Sequence, residues 1–140
     1  MDPADAAEAF ETLAENGGGN GFIRQFLPAT AMNQDALREI VDIPIAGAGE
    51  ATALMAASVA HRFSIITVGD SVIPLIERMV RNTGVSEKLA SVRTVDMPVL
   101  DLHKDREQAI EMTIEEGRKA IQEDRADALA VIDLPDAFQP

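Results

Sequence analysis

Apolar and polar positions alternate in two rhythms along the chain, and the stretch from 40 to 68 (IVDIPIAGAGEATALMAASVAHRFSIITV) sets the plan. Ile40, Val41, Ile43 and Ile45 are β-branched and apolar, which suits a strand near 40–46 covered on both faces. Pro44 lacks a backbone donor and belongs near an end or edge of that strand. Gly47 and Gly49 bracket a turn, and a helix near 50–61 follows, apolar apart from Thr52 and Ser58 over residues 51–60. A helix apolar all round is expected to be buried all round. Phe63, Ile65, Ile66 and Val68 form the next strand, near 63–68. A βαβ crossover with parallel strands and covering helices therefore seeds the fold.

Downstream, Val72, Leu75, Ile76, Met79 and Val80 make the inward stripe of a helix near 71–83. Asp70 or Ser71 can cap it, and Pro74 falls in its first turn. A strand is predicted near 91–95. Ile110, Ile114, Gly117 and Ile121 then mark one face of a helix near 105–123, opposite charged residues. Gly117 costs about 1 kcal/mol against Ala inside a helix, so close packing is expected there. The apolar run from Ala128 to Ile132 predicts a last strand near 128–133. Strands alternating with helices give an α/β fold with a mostly parallel sheet and flanking helices. Leu54, Met55, Val59, Ile65, Ile66, Ile76, Met79, Ile110, Ile114 and Val131 are its expected core.

The beginning of the chain reads differently. Residues 3–16 form a plausible helix, ended by the GGGNG run at 17–21. Phe22, Ile23, Phe26 and Leu27 cluster without a period, and 35–39 suits a helical turn. Two parts follow: an N-terminal helical arm with a glycine-rich linker, 1–34, and an α/β domain, 35–140.

Composition narrows the chemistry. With 140 residues the chain holds one cored domain. Its net charge of −12 and lack of a basic patch exclude a nucleic-acid surface. A small anion remains compatible, because helix N-termini offer backbone donors whatever the net charge. The chain contains no cysteine, so disulfides, thiolate metal sites and thiol nucleophiles are excluded within it. His61 and His103 are too few for a histidine metal cluster. No run reaches the ~18 apolar residues of a membrane span, and the acidic N-terminus does not read as a signal peptide. No membrane partner and a cytoplasmic setting are expected.

Few residues stand out as candidate chemistry. The Gly47-x-Gly49 turn matches a dinucleotide fingerprint only in part, since Thr52 stands where Gly or Ala is wanted. Glu50 has two readings: a carboxylate favouring the positive helix end, or a group that orients a ligand beside the glycine turn. Thr67 ends a parallel strand, where open α/β sheets bind ligands, yet a β-branched residue also belongs in any strand. His61 and Arg62 close a helix, as cations do. Asp133 and Asp136 follow the last strand around Pro135; one carboxylate there suits a general base, and both suit a solvated turn.

In order, VDIPIAGAGEA, RFSIITVGDSVIPLIERMVRNTG, SVRTVDMPVLDL and EEGRKAIQEDRADAL resemble the aspartate/glutamate/hydantoin racemase family, most of all its hydantoin racemase branch. The resemblance covers residues 35–133 and implies one lobe of a two-lobed α/β fold. It also implies a cofactor-independent isomerase in which each lobe supplies one cysteine. One thiolate removes the proton from the substrate's stereogenic carbon, and the opposite thiol returns it on the other face. In this chain the family's cysteine positions fall near Pro28 and Asp133, and neither residue is a thiol. Gly47, Glu50, Thr67 and Asp133 then stand as substrate-binding candidates, with no catalytic residue, cofactor or metal assigned. The departures read as a truncated or frame-shifted member, impaired in catalysis. The alternatives are a non-catalytic module binding a small carboxylate or hydantoin, or an oligomerising relic of the fold; a homo-oligomer is expected.

Overall fold

A computed structural model describes residues 38–39, 44, 46–102, 104–132 and 134. The regular elements are α1 (Ala48–Val59), β1 (Phe63–Val68), α2 (Ile73–Asn82), β2 (Leu89–Val95), α3 (Arg106–Gln122) and β3 (Ala128–Val131). The strands form one sheet in the order β2-β1-β3, parallel throughout. Ile65 lies opposite Val92 on one side and Ala130 on the other. The fold is thus the α/β arrangement expected from the alternation of strands and helices.

β1 is the central strand, and all its residues are buried. Strand alternation splits its side chains between two layers. Phe63 and Ile65 pack with Ala53, Ala56 and Ala57 of α1 and with Ile76, Met79 and Val80 of α2. Ile66 and Val68 face the other way, joining Val95, Leu102 and Ala109. α3 lies close on that second face. A Cβ built on Gly117 would stand 3.1 Å from Leu129 Cδ1 and 3.8 Å from Ile66 Cδ1. Glycine brings the helix down onto the sheet, as its place in the stripe suggests.

Helix ends depart from the sequence reading in instructive ways. α2 is entered through a 3-10 turn at Asp70–Val72, with Pro74 in its first turn and no side-chain cap. Asp70 instead accepts a hydrogen bond from Thr94 Oγ1, tying the turn to β2. α1 carries no base in its last turn, so His61 and Arg62 do not serve its carboxyl end. Lys88 does so from across the fold, donating through Nζ to the carbonyls of Ala57 (2.6 Å) and Ala60 (3.0 Å). The His61 and Arg62 amides are held by Asp127 Oδ2, each at 3.1 Å. α3 keeps its expected cap, Asp105 Oδ1 accepting from the Gln108 amide at 3.1 Å.

The core prediction needs correcting on one side of the molecule. Ile65, Ile66, Ile76 and Met79 are buried, but Leu54, Met55, Val59, Ile114 and Val131 are exposed and Ile110 is half-buried. α1 meets the sheet through its alanines, and its larger side chains point elsewhere. Among the described residues the sheet ends at β3, so nothing lies beyond it to cover them. The strand predicted near 40–46 is described only at Pro44 and Ala46, neither of which is in a strand. The predicted 3–16 helix, the glycine run and the apolar cluster at 22–27 lie outside the described residues. Arg38 and Glu39 are helical, in keeping with a turn at 35–39.

A polar clasp holds β2, α3 and the turn before β3 together. Arg93 donates from Nε to Asp124 Oδ2 at 2.6 Å, with Glu123 at 2.7 Å and Glu116 at 3.3 Å. Ser91 Oγ also donates to Asp124, and Ser64 in β1 meets Ser91 at 2.7 Å. Every buried polar atom in this chain of contacts has a partner, as a packed interior demands.

Candidate functional site

Parallel strands bring their carboxyl ends to one edge of a sheet, and open α/β folds bind ligands there. Here that edge is formed by the ends of β1 (Val68), β2 (Val95) and β3 (Val131). α1 leads back into the start of β1 through residues 60–62, so it runs opposite to the strand. Its amino end, with Gly47 and Glu50, accordingly lies toward the same edge.

Thr67 is the residue at this edge that most calls for a partner. It is 1% exposed, and its Oγ1 is a buried side-chain atom without a hydrogen-bond partner among the described residues. Alternation along β1 puts it on the face of Phe63 and Ile65, toward the α1–α2 layer. A buried hydroxyl left unpaired costs ~1–3 kcal/mol, which a ligand atom accepting or donating there would recover.

Gly47 is the N-cap of α1, extended at φ −79° and ψ 142°, with no side chain to cap the helix. The first bond back into the helix runs from the Ala51 amide to the Gly47 carbonyl at 3.0 Å. The amides of Ala48, Gly49 and Glu50 are thus the donors that a helix start leaves without intrahelical partners. Glu50 is engaged already: Arg38 reaches both its carboxylate oxygens, at 3.1 and 2.7 Å. The ion pair fastens the first turn of α1 to the preceding segment.

Asp133 and Pro28 lie outside the described residues, as do His103 and Asp136. Among the described candidates, topology brings Gly47, Glu50 and Thr67 to one edge, and no hydrogen bond joins them directly. Sequence reading missed a second feature of the edge. A concavity of about 440 Å3 opens beyond β2, lined by Asp96, Met97, Pro98, Asp101, Lys104 and Gln108 among others. The Asp-Met-Pro that breaks β2 was the available signal for it. Among the described residues no group of three or more His, Asp or Glu side chains is placed to hold a metal ion, and no helix is long and apolar enough to cross a membrane.

The arrangement offers a hydroxyl and a helix amino terminus, a combination that fits a small anionic or amide-bearing ligand. Comparison with known proteins gives it a context. Residues 29–132 match the family model described as Asp/Glu/Hydantoin racemase. A hydantoin racemase of Pseudomonas sp. (strain NS671) is 37% identical over 94 residues, covering 67% of this chain and 38% of that protein. One from Rhizobium meliloti is 33% identical over 96 residues, 69% of this chain and 40% of the relative. Among solved structures, allantoin racemase from Pseudomonas fluorescens superposes with a TM-score of 0.66 at 33% identity, over 70% of this chain and 42% of that one. Allantoin racemase from Klebsiella pneumoniae gives 0.64 at 31%, over 70% and 40%. The chain thus spans about two fifths of the length of these relatives.

Proposed function

We propose, from the premise that this chain belongs to the Asp/Glu/hydantoin racemase family, that it is a binding lobe of that fold. It takes a small carboxylate or hydantoin-like ligand at the carboxyl edge of its sheet and does not racemise it unaided. The observation that carries the reading is the buried, unpartnered Thr67 hydroxyl at the end of the central strand. The hydroxyl bonds a carbonyl or carboxylate oxygen of the ligand. The amides of the first turn of α1, which have no intrahelical partner, favour its negative charge. Residues 35–140 form the ligand-binding domain and residues 1–34 an arm apart from it, in a cytoplasmic protein without a cofactor.

The absence of turnover follows from what proton exchange at carbon requires. Inverting a stereogenic centre needs a base on one face and an acid on the other, both within reach of the same atom. The family resemblance implies thiols for both roles, and this chain has none. A carboxylate, whose reference pKa is ~4, is a weak base for a carbon acid. It would also act from one face alone.

A thermal-shift series with small carboxylates and hydantoins tests the binding. A ligand at about 100 times its Kd stabilises by ~2.7 kcal/mol, which raises the Tm of a domain this size by several degrees. Thr67→Val keeps the shape and removes the hydroxyl. It is expected to fold at least as stably as the parent and to lose most of the ligand-induced rise. A parent Tm that no ligand moves, or a Thr67→Val variant that responds like the parent, contradicts the reading.

A further inference from the structure

The carboxyl edge of the sheet differs in chemistry from one side to the other. α1 packs over β3 and β1, while α2 packs over β2. The amides at the start of α1 that lack intrahelical partners therefore lie on the β3 side of Thr67. The β2 side is set by the turn that leaves β1. Gly69 takes a left-handed φ of 80°, and the chain passes directly into the 3-10 turn at Asp70–Val72. That turn brings Asp70 to the neighbouring strand, where Thr94 Oγ1 donates to Asp70 Oδ1. The carboxylate caps no helix, since neither the 3-10 turn nor α2 has a side-chain cap.

Thr94 is the register partner of Thr67, so the two side chains share one face of the sheet. Paired strands lie ~4.8 Å apart, which puts Asp70 Oδ1 on the order of 5–8 Å from the Thr67 hydroxyl. A small ligand with an acceptor and a donor on neighbouring atoms bridges such a gap. Hydrogen-bonding capacity decides what each end takes. The one proton of the Thr94 hydroxyl goes to Asp70, so this pair offers a ligand only lone pairs. The Thr67 proton is uncommitted, and Oγ1 can donate it. Glu50, on the α1 side, has its charge met by Arg38. Asp70 touches a neutral hydroxyl and, among the described residues, no cation.

We propose that Asp70 is the specificity-determining residue of this edge. It selects ligands that carry an N–H or ammonium group beside a carbonyl or carboxylate, and turns away plain carboxylates. Its role rests on the edge being the ligand site proposed above. The ligand's oxygen meets Thr67 and the α1 amides, and its nitrogen donates to Asp70. A hydrogen bond to a carboxylate is charge-assisted, roughly twice as strong as a neutral one. A plain carboxylate gains no such bond and meets a like charge there, within a Debye length of ~8 Å. Selection thus combines an attraction for one class of ligand with a repulsion for the other. Thr94 is a positioning residue, holding the carboxylate beside the strand end.

Isothermal titration of the full chain with matched ligands tests this: L-aspartate against succinate, and hydantoin against 1,3-dimethylhydantoin. The second member of each pair lacks the nitrogen-bound protons of the first. The parent is expected to bind the N–H member ~10-fold or more tightly than its counterpart, the worth of one hydrogen bond to a charged group. Asp70→Asn keeps the shape and an oxygen for Thr94 but removes the charge, and should cut the preference to ~3-fold or less. Asp70→Ala, which removes the whole group, should do the same. Asp70 is exposed, so both variants should keep the circular dichroism of the parent. Thr67→Val weakens both members of a pair and leaves their ratio as it was. A purely structural role for Asp70 would likewise weaken both members alike. Equal binding of both members by the parent overturns the proposal while the ligand site stands. So does a preference that survives in both Asp70 variants. A parent that binds neither pair overturns the ligand site, and the role of Asp70 with it.

Discussion

Replacing Ile66 by alanine is expected to lower the stability of the monomer by ~2–5 kcal/mol in denaturant melts. Ile66 is fully buried in the central strand, where its carbonyl accepts the Ile132 amide at 2.9 Å. Its side chain lies under α3, with Cδ1 only 3.8 Å from where a Cβ on Gly117 would stand. The loss is large because the hole cannot close. Strands on both sides fix β1, and α3 already rests as low on the sheet as Gly117 and Leu129 allow. Cavity cost rises where the surroundings cannot relax, which places this site toward the upper part of the range. A loss under about 1 kcal/mol contradicts its place in the core.

The second large effect concerns the clasp around Arg93. Asp124 is held below the usual carboxylate range, chiefly by its hydrogen bond from Arg93 and then by that from Ser91. Glu116 is lowered as well, mainly by Lys119 and further by Arg93. Arg93 is shifted upward, first by Asp124, and stays charged at any working pH. Groups whose folded pKa is depressed contribute stability above their unfolded pKa and lose it as pH falls through the folded one. Stability from the clasp is therefore fully present above about pH 5 and drains away below about pH 4. Asp124→Asn removes the charge from the centre of the clasp and is expected to cost ~1–3 kcal/mol at pH 7. Its difference from the parent should shrink toward zero as both are acidified. Urea melts from pH 3 to 7 measure this directly, and a difference that stays constant with pH contradicts it.

How much of this was legible in the sequence depends on distance along the chain. β1 was readable to its ends, because Phe63–Val68 is β-branched or apolar at every position but Ser64. α3 was readable from its isoleucine period and α2 from its stripe and Pro74. The burial of α1 was misjudged because an apolar run has no outward-facing side to mark. Whether Met55 and Val59 are covered depends on a neighbour beyond β3, which composition cannot reveal. The clasp was invisible for the same reason: Arg93 and Asp124 stand 31 residues apart. Lys88 capping α1 spans a similar gap, while the nearer His61 and Arg62 looked the better partners. At the candidate site, position alone pointed to Gly47 and Thr67 at a helix start and a strand end. That the Thr67 hydroxyl lacks a partner, and that Glu50 has one in Arg38, are facts of packing.

The central claim, binding without turnover, is tested most directly by optical rotation. Single enantiomers of a 5-substituted hydantoin, aspartate and glutamate are incubated with the chain at high concentration, alongside Asp133→Cys. The account predicts that rotation persists unchanged with the parent chain. It also persists with Asp133→Cys, because one thiol leaves the opposite face of the carbon without an acid. Decay of rotation with the parent chain, abolished by Asp133→Asn, would contradict the account by making that carboxylate a working base.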